Sequence, residues 1–310
     1  MKTWILKAAV QGALSRLPQP QRWNHLLQTH VSRNLRLTEE FLLNKWRISC
    51  RHLDHYLSAG SGPRSGFSAL ELGTGWFPIV PVGLALNGAG RVWTLDVQDL
   101  LRRERVIAVL EVYLRLMAEG TIQPRQPGQR ERLESVLATA DGLSARELLA
   151  RLGITSLVIE QASDTGLPAG SMHFINSSST LEHIPREQLP GIFREFRRLA
   201  ALDAVMSHFI DMGDNYSLSD DSITVYNFLK YSERTWSLFN NQLLYQNRMR
   251  RPDYRALHEA CGWTVTAEEG VTRPLEELRS IPLAPEFQGY PESELQVFLT
   301  WMTSRPRVVG

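Results

Sequence analysis

Gly73, Gly75 and Asp96 have the residue types and the spacing of a ligand-binding turn. The apolar run Phe67–Leu72 predicts a buried strand that ends at the first glycine, and Asp96 ends a second apolar run. Glycine adopts positive φ and lets a ligand approach the backbone, because it has no Cβ. In nucleotide-binding α/β units, an acid at the end of the second strand binds the ribose hydroxyls. The pattern therefore predicts a nucleotide-type cofactor.

The turn departs from the dinucleotide-binding pattern Gly-x-Gly-x-x-Gly. Pro78 stands at the position of the third glycine, and no cluster of basic residues follows. The third glycine permits close packing of helix and strand beside a pyrophosphate, so its replacement argues against a nicotinamide cofactor. Glu71, just ahead of the turn, instead places a carboxylate where a cationic amino group could be held.

An acid followed by Leu-Gly-x-Gly, with a second acid ending the next strand, resembles the class I S-adenosylmethionine-dependent methyltransferases. Residues 162–168 and 179–185 strengthen the resemblance, since they contain an acid ahead of Leu-Pro and the sequence Leu-Glu-His-Ile. Residues 207–216 further resemble a bacterial subgroup of that family with the pattern Ser-His-x-Ile-Asp. The family's usual third glycine is Phe77 here, so the match at the turn is partial.

The resemblance implies S-adenosylmethionine as the cofactor. Glu71 would hold the methionine amino group, Asp96 the ribose hydroxyls and Asp164 the adenine. The complete predicted cofactor set is Glu71, Gly73, Thr74, Gly75, Asp96, Val97, Asp164 and Ser177.

Methyl transfer from a sulfonium needs little chemical activation by the protein, because the methyl group is already electrophilic. The nucleophile must be held in line with the methyl group and water must be excluded. A base helps when the acceptor arrives protonated, and histidine titrates near neutral pH. His183, after the predicted fourth strand, and His208, within the fifth, are the candidate bases, although either could be structural. No metal site is predicted.

Residues 212–251 form an excursion rich in Asn, Tyr and Trp after the predicted fifth strand. Side chains with an apolar body and a polar tip suit a lid over a small molecule, and they suit a core or dimer contact equally well. The candidate acceptor-binding residues in and before this segment are Glu182, Asp211, Tyr216, Tyr226, Asn247 and Arg248.

These elements predict an α/β fold: a doubly wound, seven-stranded, Rossmann-like methyltransferase sheet with an N-terminal helical extension over residues 1–66. The methyltransferase domain would occupy residues 67–310, with helical insertions at about 120–152 and 212–251. Strands are predicted at residues 67–72, 91–97, 157–159, 173–177, 204–210, 263–266 and 295–303, and helices at 100–118, 132–152, 186–199 and 252–261.

The composition restricts the partners and the compartment. The 34 basic and 33 acidic residues nearly cancel, which argues against a nucleic-acid partner. The two cysteines lack metal-site spacing and favour a reducing, cytoplasmic compartment. Residues 1–17 are too short and too interrupted for a membrane span, so a helix packed on the chain or on a twin subunit is favoured over a membrane-surface helix.

The most favoured function is in-line SN2 transfer of a methyl group to an oxygen, nitrogen, sulfur or carbon atom of a small-molecule acceptor. A nicotinamide-dependent oxidoreductase and a non-catalytic S-adenosylmethionine-fold binding protein are the alternatives, and a homodimer is left open.

Overall fold

The computed structural model describes residues 3–14, 37–59 and 62–307. Its strands are β1 (Phe67–Leu72), β2 (Ala89–Asp96), β3 (Ile154–Val158), β4 (Met172–Ser178), β5 (Ala200–Asp211), β6 (Trp263–Thr272) and β7 (Val297–Pro306). They form one sheet in the order β3-β2-β1-β4-β5-β7-β6. Strands β1 to β5 run parallel, and β7 is antiparallel to both of its neighbours. The predicted seven-stranded, doubly wound α/β sheet is confirmed.

Helices cover both faces of the sheet. They are α1 (Thr3–Leu14), α2 (Glu39–Ala59), α3 (Ile79–Leu86), α4 (Arg103–Ala118), α5 (Gln129–Ala138), α6 (Ala145–Arg151), α7 (Leu189–Leu199), α8 (Glu233–Trp236), α9 (Arg251–Ala260), α10 (Leu275–Arg279) and α11 (Glu292–Leu295). Successive residues of a strand point to opposite faces. Phe67 and Ala69 of β1 accordingly pack with α2 to α6, whereas Leu70 and Leu72 pack with α7 and α9.

The register of the parallel strands brings the ends of β1, β2 and β4 to one edge of the sheet. Leu72 lies opposite Leu95 of β2 and Ser177 of β4. Gly73, directly after β1, and Asp96, the last residue of β2, therefore lie side by side at this edge. Since β1 lies between β2 and β4, the strand order reverses here, and ligands of open α/β sheets bind at such a point.

The single helix predicted over residues 132–152 is wrong. The structure has two helices, α5 and α6, separated by a turn in which Gly142 has a φ of 76°. Ser144 caps α6, because its hydroxyl accepts a hydrogen bond from the Glu147 N–H and its own N–H donates to the Glu147 carboxylate at 2.7 Å. Both the Asp-Gly turn and the Ser-x-x-Glu box outweigh the helical spacing of the apolar residues. The third strand also begins earlier than predicted, at Ile154.

The N-terminal helices pack on two different parts of the molecule. Helix α2 lies against the sheet, whereas Trp4 of α1 is buried beside Tyr216 and Phe239 of the segment after β5. That segment contains α8 and two 3₁₀ turns, Asn215–Leu218 and Asn227–Lys230. Residues 15–36 of the predicted N-terminal extension lie outside the described residues, and the division into two regions stays a prediction. Within the described ranges, no helix has both the length and the apolar character that a membrane crossing requires.

Candidate active site

The two glycines of the turn after β1 are required for different reasons. Gly73 has a φ of 90°, and a Cβ at this position would overlap the side chain of Thr180. Gly75 has a φ of 65°, but a Cβ there would point into open space. Gly73 thus permits a close approach of two protein segments, while Gly75 keeps the backbone accessible from the cavity side.

Asp96 fixes the turn through hydrogen bonds at both of its carboxylate oxygens. Its Oδ2 accepts from the Gly75 N–H at 2.9 Å, and its Oδ1 accepts from the Gln98 N–H at 3.0 Å. Burial raises the pKa of Asp96, and these backbone hydrogen bonds oppose the increase. A carboxylate can accept further hydrogen bonds at each oxygen, so Asp96 keeps the capacity to bind a diol.

Glu71 is a buried carboxylate, 2% exposed, beneath the turn. Its Oε2 accepts a hydrogen bond from the Thr94 hydroxyl at 2.7 Å, and the Thr74 hydroxyl in turn contacts that of Thr94. Desolvation raises the pKa of Glu71 to about 7, while the Thr94 hydrogen bond and the charge of Lys45 act in the opposite direction. Glu71 therefore changes its charge near neutral pH.

The turn opens into a cavity of about 1070 Å³. Ligand pockets commonly have volumes of about 300–1,000 Å³, so this cavity has room for a cofactor and a small acceptor together. We call Glu71, Gly73, Thr74, Gly75 and Asp96 the turn wall, and Phe41, Lys45, Thr180 and His183 the facing wall; all of them line the cavity.

Asp164 does not line the cavity. Its side chain is exposed, and its N–H donates to the Gln161 carbonyl at 3.2 Å. Residues 160–163, immediately before it, line the cavity together with Val97, which is 62% exposed. The predicted adenine contact of Asp164 is therefore corrected, because the turn that contains Asp164 points its side chain towards solvent and residues 160–163 line the cavity in its place.

Ser177 and His208 lie in the core rather than in the cavity wall. The Ser177 hydroxyl and His208 Nδ1 are 2.7 Å apart, and both residues are fully buried. The His208 ring packs against Phe193 and His258, and burial holds its pKa well below the ordinary range. The predicted cofactor contact of Ser177 and the predicted catalytic role of His208 are corrected on this ground, since neither side chain can touch a ligand in the cavity.

His183 does line the cavity, in the 3₁₀ turn Leu181–His183 after β4. Its Nδ1 lies 2.7 Å from the Tyr245 carbonyl oxygen, which can only accept, so Nδ1 carries the proton and Nε2 is left as the acceptor. The ring is exposed to the cavity, yet surrounding protein atoms desolvate it enough to lower the pKa of His183, against the effect of the Tyr245 carbonyl. Asn247 supports the turn by donating to the Leu181 and Ile184 carbonyls at 2.8 and 2.9 Å.

Glu182 and Asp211 form a buried acidic pair behind His183. Glu182 is 2% exposed, and its Oε1 accepts from the Asp211 N–H at 3.3 Å. Desolvation, followed by the neighbouring Asp211 charge, holds the pKa of Glu182 well above its usual range. Burial also raises the pKa of Asp211. Neither carboxyl group lines the cavity, so their predicted contact with the acceptor is corrected to a supporting position.

The other predicted acceptor-binding residues hold the segment after β5 together. The Tyr216 hydroxyl bonds to the Phe239 carbonyl at 3.3 Å, and the Tyr226 hydroxyl bonds to the Gln296 carbonyl. The Arg248 guanidinium donates to the Phe228 carbonyl at 3.0 Å. Of the described residues, none from 212–251 lines the cavity. Their aromatic and amide side chains pack within the protein, as expected for a core contact and not for a lid over the cavity.

The sequence patterns missed the contribution of α2. Phe41 and Lys45 line the cavity from one turn of this helix, and Leu42 and Trp46 on the adjacent stripe are buried against the core. A lysine beside a buried helical stripe was the available signal.

A chain of hydrogen bonds also runs from the cavity wall into α2. Ser178, which lines the cavity, lies 3.0 Å from His52 Nε2, and His52 Nδ1 lies 2.8 Å from Ser207 Oγ. Ser207 is also 2.9 Å from His55 Nδ1. The serine of the Ser-His-x-Ile-Asp segment thus joins two histidines of α2 to the sheet.

No family model and no curated protein matches the sequence. Solved structures of similar fold include a SAM-dependent methyltransferase from Methanosarcina mazei, with 15% identity over 80% of this chain and 95% of that chain, at a TM-score of 0.44. A geranyl diphosphate methyltransferase is 11% identical over 95% of this chain and 94% of its own, at a TM-score of 0.45. The geranyl diphosphate C-methyltransferase of Streptomyces coelicolor A3(2) is 12% identical over 84% and 77%, at a TM-score of 0.43. Similarity at this level identifies no activity, so the function has to be inferred from the residues of this chain.

Proposed function

We propose that this chain transfers a methyl group from S-adenosylmethionine to a small-molecule acceptor. The observation that carries the proposal is the turn wall: a buried carboxylate, a glycine turn and the Asp96 carboxylate face one large cavity at the reversal point of the sheet. Each of these groups matches one part of a nucleoside that carries an amino acid on its 5′ sulfur.

The residues of the cavity fit this cofactor chemically. Asp96 would bind the ribose hydroxyls, and Glu71 would bind the ammonium group, to which its ionised form is complementary. Gly75 leaves open space above the turn for the amino-acid portion. Val97 and residues 160–162 would flank the adenine, since they line the cavity beyond Asp96.

The bound cofactor supplies an electrophilic methyl group, so the protein has to position the acceptor and exclude water. His183 is the residue placed to receive a proton from a hydroxyl, phenol or ammonium acceptor. Its Nδ1–H is directed to the Tyr245 carbonyl, which presents Nε2 as the basic nitrogen. The lowered pKa keeps the ring neutral, and therefore able to accept a proton, at neutral pH.

The nicotinamide alternative is disfavoured by the start of α3. A dinucleotide pyrophosphate is bound by backbone N–H groups at the beginning of the helix after the turn. Here Pro78 stands at the N-cap of α3 and has no N–H to donate.

Three expectations about partners and compartment stay predictions: a reducing cytoplasm, the absence of a nucleic-acid partner, and a homodimer. Cys50 and Cys261 are both free thiols, which supports the first.

The proposal is tested by calorimetric titration with S-adenosylmethionine, S-adenosylhomocysteine and NAD in parallel. We expect micromolar binding of the two sulfur compounds and none of NAD. Binding of NAD alone would overturn the proposal.

A screen of phenols, alcohols, amines and carboxylates for release of S-adenosylhomocysteine then separates an enzyme from a binding protein. Cofactor binding without turnover of any acceptor class would favour the non-catalytic alternative.

A further inference from the structure

Lys45 is a cation that α2 contributes to the cavity. The acidic residues lining the cavity are Glu71, Asp96, Glu160 and Glu187, and the only other lysine or arginine among the described lining residues is Arg194. Arg194 lies on α7, across the sheet from α2, and its side chain is exposed. Lys45, in contrast, is partly buried on the face of the sheet that α2 covers.

Lys45 lies at the Glu71 end of the cavity. The ammonium and the Glu71 carboxylate are close enough to influence each other's ionisation, and the charges of Glu182 and Asp211 also act on Lys45. Glu71 lies two residues after Ala69 on β1, so both side chains point to the face of the sheet that α2 covers. The Glu71 carboxylate therefore reaches the cavity from the sheet, and the Lys45 ammonium reaches it from the helix above.

Lys45 has no fixed anionic partner in the part of the chain that the structure describes, where no carboxylate lies within ion-pair distance of its ammonium. Desolvation lowers the pKa of Lys45, and the three acids only partly oppose it. Burying a charged group without a partner is costly, and a ligand carboxylate would relieve that cost.

We infer that Lys45 binds the carboxylate of the amino-acid portion of the cofactor, while Glu71 binds its ammonium group. An acid and a base that face one cavity from opposite sides are complementary to a zwitterion, whose two charged groups are attached to one carbon. The inference rests on the proposed function and makes α2 part of the cofactor site. It also makes Lys45 the residue that distinguishes nucleosides that carry a complete amino acid from nucleosides that lack its carboxylate.

The test compares S-adenosylhomocysteine with its decarboxylated analogue, which keeps the ammonium and lacks only the carboxylate. Affinities are measured by calorimetry for the wild type and for Lys45→Met, which removes the charge and keeps an unbranched side chain only one atom shorter. We expect the wild type to prefer S-adenosylhomocysteine by about 10- to 100-fold, the range of one charge-assisted hydrogen bond. Lys45→Met should lose that preference by weakening S-adenosylhomocysteine alone.

Arg194→Met is the matched control, because it removes the other lining cation, and it should leave the ratio of the two affinities unchanged. Lys45→Arg should keep most of the preference. Equal affinity of the wild type for the two ligands, or equal weakening of both by Lys45→Met, would overturn the role of Lys45. Equal wild-type affinities would overturn the role even if Lys45→Met does not fold. Failure of the wild type to bind S-adenosylhomocysteine would reject the cofactor itself, and the inference with it.

Discussion

The turn wall and the facing wall of the cavity are built in different ways. All residues of the turn wall come from one β-turn-helix-β unit within 26 consecutive positions, from Glu71 to Asp96. The facing wall combines Phe41 and Lys45 of α2 with Thr180 and His183, which follow β4. One wall is a local motif, whereas the other exists only after distant segments have packed.

This difference determines which substitutions should change cofactor affinity and which should change turnover. The turn wall holds its geometry through its own hydrogen bonds, such as the one from Gly75 to Asp96. The facing wall depends on supports outside the cavity, such as Asn247 and the Tyr245 carbonyl behind His183. We therefore expect the turn wall, together with Lys45, to control cofactor affinity, and the rest of the facing wall to control the acceptor and turnover.

Asp96→Ala should have the largest effect on binding. It removes a carboxylate that would accept hydrogen bonds from the ribose, and hydrogen bonds to charged groups contribute about 1.5–3 kcal/mol each. We expect the affinity for S-adenosylhomocysteine, measured by calorimetry, to fall at least ~100-fold. Asp164→Ala is the control and should change it less than ~2-fold, because Asp164 lies outside the cavity. The reverse order of effects would return the adenine contact to Asp164 and refute the role of Asp96.

Gly73→Ala should destabilise the fold. Positive φ costs a non-glycine residue about 1–2 kcal/mol, and the overlap with Thr180 adds about 1–3 kcal/mol of overpacking. Gly75→Ala has the same type of φ but open space, so it should lose only about 1–2 kcal/mol. Urea denaturation of both variants measures the free energies of unfolding. Equal losses would show that the contact with Thr180 does not constrain the turn.

His183→Gln should lower kcat about 100-fold, in the range of general-base catalysis, for a hydroxyl acceptor found in the screen. Cofactor affinity should stay the same, because the proposed cofactor contacts are made by the turn wall and Lys45 and not by His183. His208→Gln is the comparison: its loss should appear in stability, while kcat per folded molecule is retained, since His208 is buried away from the cavity. Unchanged turnover of His183→Gln would show that the acceptor needs no base at this position.

The affinity for S-adenosylhomocysteine should depend on pH through Glu71, which gives the smallest of these effects. With a pKa of about 7, this carboxyl is ionised above pH 7 and neutral below it. The cationic amino group prefers the ionised form, so affinity should fall about tenfold from pH 8 to pH 6. Glu71→Gln should remove this dependence, and the affinity for 5′-methylthioadenosine, which lacks the amino-acid portion and its ammonium group, should not show it. A pH dependence that survives in Glu71→Gln would belong to another group.

The sequence predicted the sheet and the turn wall because their signals are local. A strand, a glycine turn and an acid at the next strand end can be recognised within one short segment, from Phe67 to Asp96. The boundary errors have local causes as well, such as the Asp-Gly turn that divides residues 132–152.

The residues that were misplaced share a different cause. His208, Tyr216 and Arg248 carry side chains that could bind or catalyse, and they follow or belong to β5, which ends near the cavity. Strand alternation and packing nevertheless direct these side chains into the core. Lys45 lies 26 residues before Glu71, and only the packing of α2 on the sheet brings them together. A pattern within one segment does not predict a contact between two segments, so the facing wall could be assembled only from the structure.

A crystal structure with S-adenosylhomocysteine is the most direct test of the proposed site. The account predicts the ribose on the Asp96 carboxylate, the ammonium group at Glu71 and the adenine beside residues 160–162. A ligand bound elsewhere, or with its ribose away from Asp96, would contradict it.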